Sequence, residues 1–419
     1  MDKWLREIDE ALNSGDLKRS ELIIARQLRA HKGASERAGL LLRRASVRLM
    51  GARPDDAFED LETAVALQPE QENSPSVRTL RADVHLARFE LAPVGFADRA
   101  DTDAALVDYQ YILKHAPTYE RRAWVHYQMG RIHLSQHEIE AAVQDFRAAL
   151  ESPSQPPQVH ALSHERLGFI ALYDQRQPRQ ALEAFQRAVQ AHSGNEEIGW
   201  LTQLYLQISR AHLELSEHQR ALSAAQKALQ AIQSGTTTAH RNLLPEAHMA
   251  LGDILALRDG AEAEAIKHYL RFLQSSKRPP GIDVTWSQVH ENIGDLSFRI
   301  ERYQEAINAY EKALEYNPYH PWEVKLHYQI ARCHYRMRAF EKAVEAIQRM
   351  KHLAAQEHAN ITDWRVATLL GNAYFALEQY PAAAEAYREA IALAPPGASE
   401  LERTEIYLRF AEELARSPH

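Results

Sequence analysis

Residues 292–318 read NIGDLSFRIERYQEAINAYEKALEYNP. A small residue, Gly294, comes early. Tyr303 and Tyr310 follow, interleaved with Ala306 and Ala313, and Pro318 closes the stretch. Apolar residues three and four apart mark one face of a helix, so the stretch predicts two amphipathic helices joined by a short turn. Gly294 on the first and Ala306 on the second carry little side chain, which would let the two backbones approach closely. The tyrosines between them would fill the wedge toward a neighbouring hairpin. Proline ends the second helix because it cannot donate to the hydrogen-bond ladder.

The pattern recurs. The phase of Ala306, Tyr310 and Ala313 returns at Ala57, Leu61, Ala64; at Ala105, Tyr109, Ile112; at Ala142, Phe146, Ala149; and at Ala181, Phe185, Ala188. Later copies are Ala221, Ala225, Ala228; Ala265, Tyr269, Phe272; Ala343, Ile347, Met350; and Ala383, Tyr387, Ala390. A degenerate first copy sits at Ser20 and Ile24, giving ten, with anchors 37 to 48 residues apart and mostly 37–44. Upstream of most copies stands a second small residue: Ala45, Gly130, Gly168, Ser209, Gly252, Gly294, Ala331 or Gly371. Pro69, Pro117, Pro318 and Pro395 each follow a copy. One hairpin cannot bury its apolar face alone, so neighbours must stack.

This pattern resembles the tetratricopeptide repeat, a helix-turn-helix unit of about 34 residues. The resemblance is best at 287–320 and 364–397 and good at 123–156. It extends over nearly the whole chain. The longer spacing is similar to that of kinesin light chains and some bacterial regulators. The resemblance implies an all-α, right-handed superhelical solenoid of ten hairpins. The expected divisions are degenerate repeats one to three over 1–122, repeats four to ten over 123–398, and a capping helix with tail over 399–419. Ser399, Glu400, Leu401 and Glu402 read as a capping box opening that last helix. ESPSQPP (151–157), QSGTTTAH (233–240) and SSKRPPG (275–281) punctuate the repeats, and 91–102 enlarges the turn of repeat three.

Composition narrows the function. The 419 residues carry a net charge of −8, a poor match to phosphate backbones, which weighs against nucleic acid as a partner. The lone cysteine, Cys333, allows no intramolecular disulfide and no Cys-based zinc site. The charged N-terminus lacks the apolar core of a signal peptide, and no run of about 18 apolar residues predicts a membrane span. A cytoplasmic protein without membrane contact is the expectation.

Catalytic chemistry finds no support. There is no Walker A loop, GxGxxG, GxSxG or HExxH, so the chain is expected not to be an enzyme, with no cofactor and no metal. The 21 histidines fall largely into phases. His126, His164, His248, His290 and His327 lie four residues before the small position. His85, His133, His212 and His334 lie three after it. Both phases predict half-buried packing. His133 and His137 have the spacing of two ligands on one helix face, but the expected turn begins near His137 and no HExxH is present. Cys333 lacks the base and oxyanion donor a catalytic thiolate needs.

Binding is therefore the expected function: a scaffold or adaptor holding another protein, as peptide or domain. The resemblance implies that each first helix lines a concave groove, so residues flanking the small position face the ligand. Repeats seven and eight then offer Glu246, Met249, Asp253, Glu291, Asp295, Phe298 and Arg299. Repeats nine and ten offer Lys325, Tyr328, Arg332, Tyr335, Arg336, Arg365, Asn372 and Phe375. A secondary set is Trp124, Tyr127, Arg131, Glu165, Phe169 and Tyr173. Tyr328, Arg332, Tyr335 and Arg336 share one helix face, and guanidinium groups recognise carboxylates bidentately. An acidic or carboxylate-containing segment at repeats eight to ten is the predicted ligand, unless those arginines pair with neighbouring acids instead. Chaperone-binding relatives grip a terminal carboxylate with lysines, an asparagine and an arginine. Here Tyr328 stands where a lysine would be, although Arg332 and Asn372 fill comparable places, so a chaperone tail is not predicted. A sensor acting through self-association is the second expectation, and RNA recognition by helical repeats the third.

Overall fold

The computed structural model of the chain describes residues 3–153, 156–191, 198–234, 242–277, 280–321, 323–356, 363–395, 398 and 401–416. Among these there are 21 α-helices and no strand. The chain divides into two compact units, Met1–Glu197 and Ile198–His419.

The first unit contains five helical hairpins: α1 and α2 (Lys3–Asn13, Leu17–Ala30), α3 and α4 (Ala34–Met50, Pro54–Leu67), α5 and α6 (Pro75–Leu91, Arg99–His115), α7 and α8 (Arg122–Ser135, Ile139–Glu151), and α9 and α10 (Pro157–Phe169, Pro178–Ala191). The helix α9 runs on into a π-type turn over Ile170–Asp174, where the Gln175 amide donates to the Ile170 carbonyl. The second unit contains α11 and α12 (Ile198–Glu214, His218–Ser234), α13 and α14 (Leu244–Ala256, Glu262–Ser275), α15 and α16 (Val284–Arg299, Tyr303–Tyr316), α17 and α18 (Glu323–Arg336, Phe340–Gln356), and α19 and α20 (Trp364–Ala376, Tyr380–Leu393). A last helix, α21 (Leu401–Arg416), packs on α20. Ser399 and Glu400, two members of the expected capping box, lie outside the described residues, as do parts of the three punctuating segments. The expected long turn of repeat three is the loop of residues 92–98, with Val94 and Phe96 exposed.

Both units build their cores the same way. The anchor alanines from Ala57 to Ala383 are fully buried. The largest fully buried side chains, Tyr109, Phe146, Phe185, Tyr269, Tyr310 and Tyr387, all stand four residues after an anchor. Their rings lie on the small residue of the first helix. A Cβ at Gly130, Gly168, Gly252, Gly294 or Gly371 would fall 2.5 to 2.8 Å from the ring of Phe146, Phe185, Tyr269, Tyr310 or Tyr387, respectively. No side chain tolerates that contact, so these positions are glycine. Where the second helix carries Leu61, Ala225 or Ile347 instead of a ring, the first carries Ala45, Ser209 or Ala331. Ser209 uses its hydroxyl to donate to the Ala221 carbonyl at 2.9 Å. Repeat three alone sets Ala82 with a ring, Tyr109.

Turns within hairpins repeat a second device. Ala52, His137, Arg176, Ser216, Glu301, Arg338 and Glu378 adopt φ between 55° and 62° just after the first helix. Amides then reach back five residues, as from Arg302 to the Ser297 carbonyl at 2.8 Å and from Gln379 to Tyr374 at 3.0 Å. These bonds satisfy the orphan carbonyls at the helix end.

Gly294→Ala is expected to lower stability by about 1–3 kcal/mol through overpacking, seen as a lower urea midpoint. Gly39→Ala, where a Cβ meets nothing within 4 Å, should leave the midpoint unchanged or raise it. Adding Tyr310→Ile to Gly294→Ala, which copies the Ala331 and Ile347 pairing, should cost less than the two single losses combined.

Candidate partner-binding surface

Tyrosine at the ring position brings a hydroxyl to the outer edge of the hairpin, where it needs an acceptor. The residue after the small position supplies one. The Tyr109 hydroxyl donates to Asp83 at 2.5 Å, Tyr269 to Asp253 at 2.7 Å, Tyr310 to Asp295 at 2.6 Å and Tyr387 to Asn372 at 2.9 Å. Where the ring is Phe146 or Phe185, the following residues are Arg131 and Phe169, which accept no such bond. Burial raises the carboxyls of Asp83 and Asp295 above their usual range, opposed by the phenol hydrogen bonds. Asp253, Asp295 and Asn372, expected to face a ligand, thus already accept bonds from the protein's own core.

In the second unit the first helices of repeats seven to ten stand side by side. Arg299 of α15 donates to the Ala256 carbonyl at 3.2 Å and pairs with Asp259 and Glu262, both at 2.9 Å. Lys325 of α17 is exposed and pairs with the buried Glu291 of α15 at 3.3 Å. The Arg332 guanidinium lies 4.4 Å from the centre of the Phe298 ring and donates to Gln329 at 2.7 Å. Among the described residues no carboxylate stands within 4.0 Å of it. Tyr328, half-buried, has its ring centre 5.9 Å from the same guanidinium. Arg336 is exposed, donates to the Tyr303 hydroxyl at 3.0 Å and sits 3.6 Å from Glu301 of repeat eight. Tyr335 packs on Phe340, and Arg365, exposed, lies 3.8 Å from Asp363. Phe375 lies edge-on to Tyr380 and to Tyr407 of α21. The last helix therefore joins this surface through Tyr407 and Arg403, whose guanidinium lies 5.6 Å from the Tyr407 ring. From sequence α21 was expected only as a cap, since it carries no hairpin signature.

The secondary set is more tightly knit into the first unit. Tyr127 is buried, 4% exposed, against Phe146. The Trp124 indole donates to Asp83 at 3.1 Å, so that one carboxylate takes both an indole and a phenol proton. Arg131 pairs with Glu90 and donates to Gln128. Glu165 is buried. Phe169 lies edge-on to Phe185 and stacks on Tyr173, which is 38% exposed.

With these hairpins in view, comparison with known proteins is direct. Family models described as Tetratricopeptide repeat match residues 127–196, 283–349 and 364–396. The chain carries tetratricopeptide repeats. No curated protein matches it. Similar solved structures include the C-terminal part of a tetratricopeptide-repeat protein from Cytophaga hutchinsonii (15% identity, 68% of this chain and 98% of that one, TM-score 0.48). Another is a tetratricopeptide-repeat protein from Parabacteroides merdae (16% identity, 69% and 98%, TM-score 0.40). A third is YrrB, described as having an unusual peptide-binding site (16% identity, 55% and 99%, TM-score 0.40).

The tetratricopeptide hairpins also account for the histidines. His85 pairs with Asp101 and His212 with Glu217, each at 2.7 Å, whereas His126, His133 and His248 meet the residue three after the anchor. In repeats two and three that residue is Asp60 or Asp108. Each is buried and paired with two arginines, Arg44 and Arg48 or Arg78 and Arg81. In repeat four it is Asp145, which meets His126 at 3.3 Å and His133 at 2.8 Å. His133 is thus turned to Asp145, and His137 lies in the turn at φ 61°. In repeats five, eight and nine the residue is Ala184, Ala309 or Ala346. There His164, His290 and His327 are buried without that carboxylate. Burial lowers His164 and His290 from 6.5 to about 4 and also lowers His327. His248 falls to about 4 for the same reason, with His268 beside it at 3.0 Å. Among the described residues no group of three or more metal-ligating side chains converges. Burial pushes the Cys333 thiol up to about 12, the reverse of an activated thiolate. No described helix is long and apolar enough to cross a membrane.

Two outcomes follow. Tyr310→Phe should cost about 1–3 kcal/mol, because Asp295 loses its donor; urea unfolding measures it. For histidines with a depressed folded value, the unfolded chain binds the extra protons, so stability present above pH 6.5 is lost as pH falls toward 4. The raised carboxyls of Asp83 and Asp295 act oppositely and lose stability as pH rises. The urea midpoint should therefore drop between pH 7 and pH 5, and His290→Leu should flatten that slope.

Proposed function

We propose that this chain is a non-enzymatic interaction protein that holds an acidic or carboxylate-containing segment of another protein against the first helices of repeats eight to ten. The observation that carries this reading is Arg332. Its guanidinium rests on the Phe298 ring, has no carboxylate within 4.0 Å among the described residues, and is only half-buried. A cation already held against an aromatic ring loses little entropy when it meets a carboxylate. Arg336 and Arg365 extend the basic surface, each with only a loose carboxylate contact of 3.6 to 3.8 Å. Exposed contacts of that kind are worth little and are readily exchanged for a ligand. The recurrent rings and anchor alanines occupy the interior, so function falls to the exposed faces of the first helices.

The test is affinity capture from native lysate, with wild type beside Arg332→Glu, Arg336→Glu. A partner bound by wild type should lose at least about tenfold in affinity for the double variant, while the thermal midpoint stays the same. Equal binding by both proteins overturns the site.

A further inference from the structure

Equivalent positions along the first helices of the second unit carry a sign change. Six residues before the small position stand Glu246 on α13, Gln288 on α15, Lys325 on α17 and Arg365 on α19, all exposed. One residue after it stand Asp253, Asp295, Arg332 and Asn372. Three before it stand Glu291 on α15 and Tyr328 on α17. The row is acidic on α13 and α15 and basic from α17 onward. The helix α11 presents Gln203 and Arg210 at the first two positions, so the acidic stretch is confined to repeats seven and eight.

The boundary is partly self-neutralised. Lys325 pairs with Glu291, and Arg332 and Lys325 both lower the carboxyl of Asp295 against its burial. The outer ends are not. Among the described residues no cation stands within 4.0 Å of Glu246 or Asp253. At the other end the one carboxylate near the Arg365 guanidinium among the described residues is Asp363, at 3.8 Å. An occupant spanning the row therefore meets opposite signs at its two ends, with Phe298 and Tyr328 between them.

Resting on the groove reading above, we infer that the bound segment is itself charge-segregated. Its cationic end lies over α13 and its anionic end over α17 and α19, with an apolar side chain between them. Four neighbouring helices about 10 Å apart span roughly 30 Å. An extended chain at about 3.3 Å per residue covers that with about nine residues. Charge order sets the register, because the reversed placement sets like charges together at both ends.

Fluorescence anisotropy on the full chain tests this with two synthetic peptides of about twelve residues and one composition. One groups lysines at one end and glutamates at the other, and the second alternates them. The segregated peptide should bind about tenfold more tightly at low salt. A benzophenone on its glutamate end should cross-link to α17 or α19, and one on its lysine end to α13. Glu246→Lys with Arg365→Glu, both exposed, should weaken the segregated peptide and leave the thermal midpoint unchanged. Equal affinity for the two patterns, binding of neither, cross-links at the opposite ends, or indifference to the charge swap overturns the inference. None of these outcomes decides the groove reading, which stands or falls on capture by the Arg332→Glu, Arg336→Glu variant.

Discussion

Everything else in these hairpins depends on how closely the ring of the second helix approaches the first helix. With the ring over Gly294 or its equivalents, a Cβ would lie 2.5 to 2.8 Å from aromatic carbon. That contact sets the crossing of the two helices and buries the largest side chains of both units. It also fixes which residues of the first helix are left outside. The repeats without a ring close the gap differently, with Ala45 against Leu61, Ala331 against Ile347 and Ser209 against Ala225. In the Ala45–Leu61 and Ala331–Ile347 pairs the extra methyl on the first helix is matched by a smaller side chain on the second, as close packing requires.

The repeats differ in what fills the next position inward. Repeats two to four place Asp60, Asp108 and Asp145 three residues after the anchor, and each collects two bases from its own first helix. Repeats five, eight and nine place alanine there and leave the histidine of the first helix neutral. A buried ion pair costs desolvation that its Coulomb attraction must offset. A neutral imidazole over alanine avoids that cost but becomes a liability in acid. One phase of the repeat therefore serves two electrostatic solutions, decided by a single residue on the opposing helix.

The hairpins were legible because each leaves small residues and rings in register, from Ala57 to Ala383. The early copies were faint because their inward polar residues, Asp60 and Asp108, look like solvated surface until Arg44 or Arg81 is seen beside them. The candidate surface was only half legible. Helical phase placed Arg332 and Arg336 on one face, and the structure adds that Arg336 has Glu301 of repeat eight beside it, while Arg332 turns to Phe298. Phase could not show that Asp253, Asp295 and Asn372 are tied inward, since a hydrogen bond between helices depends on distance rather than spacing. Nor could it show Tyr407, which reaches Phe375 from a helix outside the repeat.

Core and surface chemistry are coupled through that one bond. A buried phenol needs an acceptor, so each tyrosine at the ring position calls for Asp or Asn on the exposed first helix, as at Asp83, Asp253, Asp295 and Asn372. Where the core residue is Ile347, Phe146 or Ala225, the demand disappears, and the same surface position carries Arg332, Arg131 or Arg210. The acidic character of repeats seven and eight is thus partly a consequence of their tyrosines. The basic character of repeat nine is permitted by an isoleucine. Exchanging one interior side chain changes the sign that the surface is free to present.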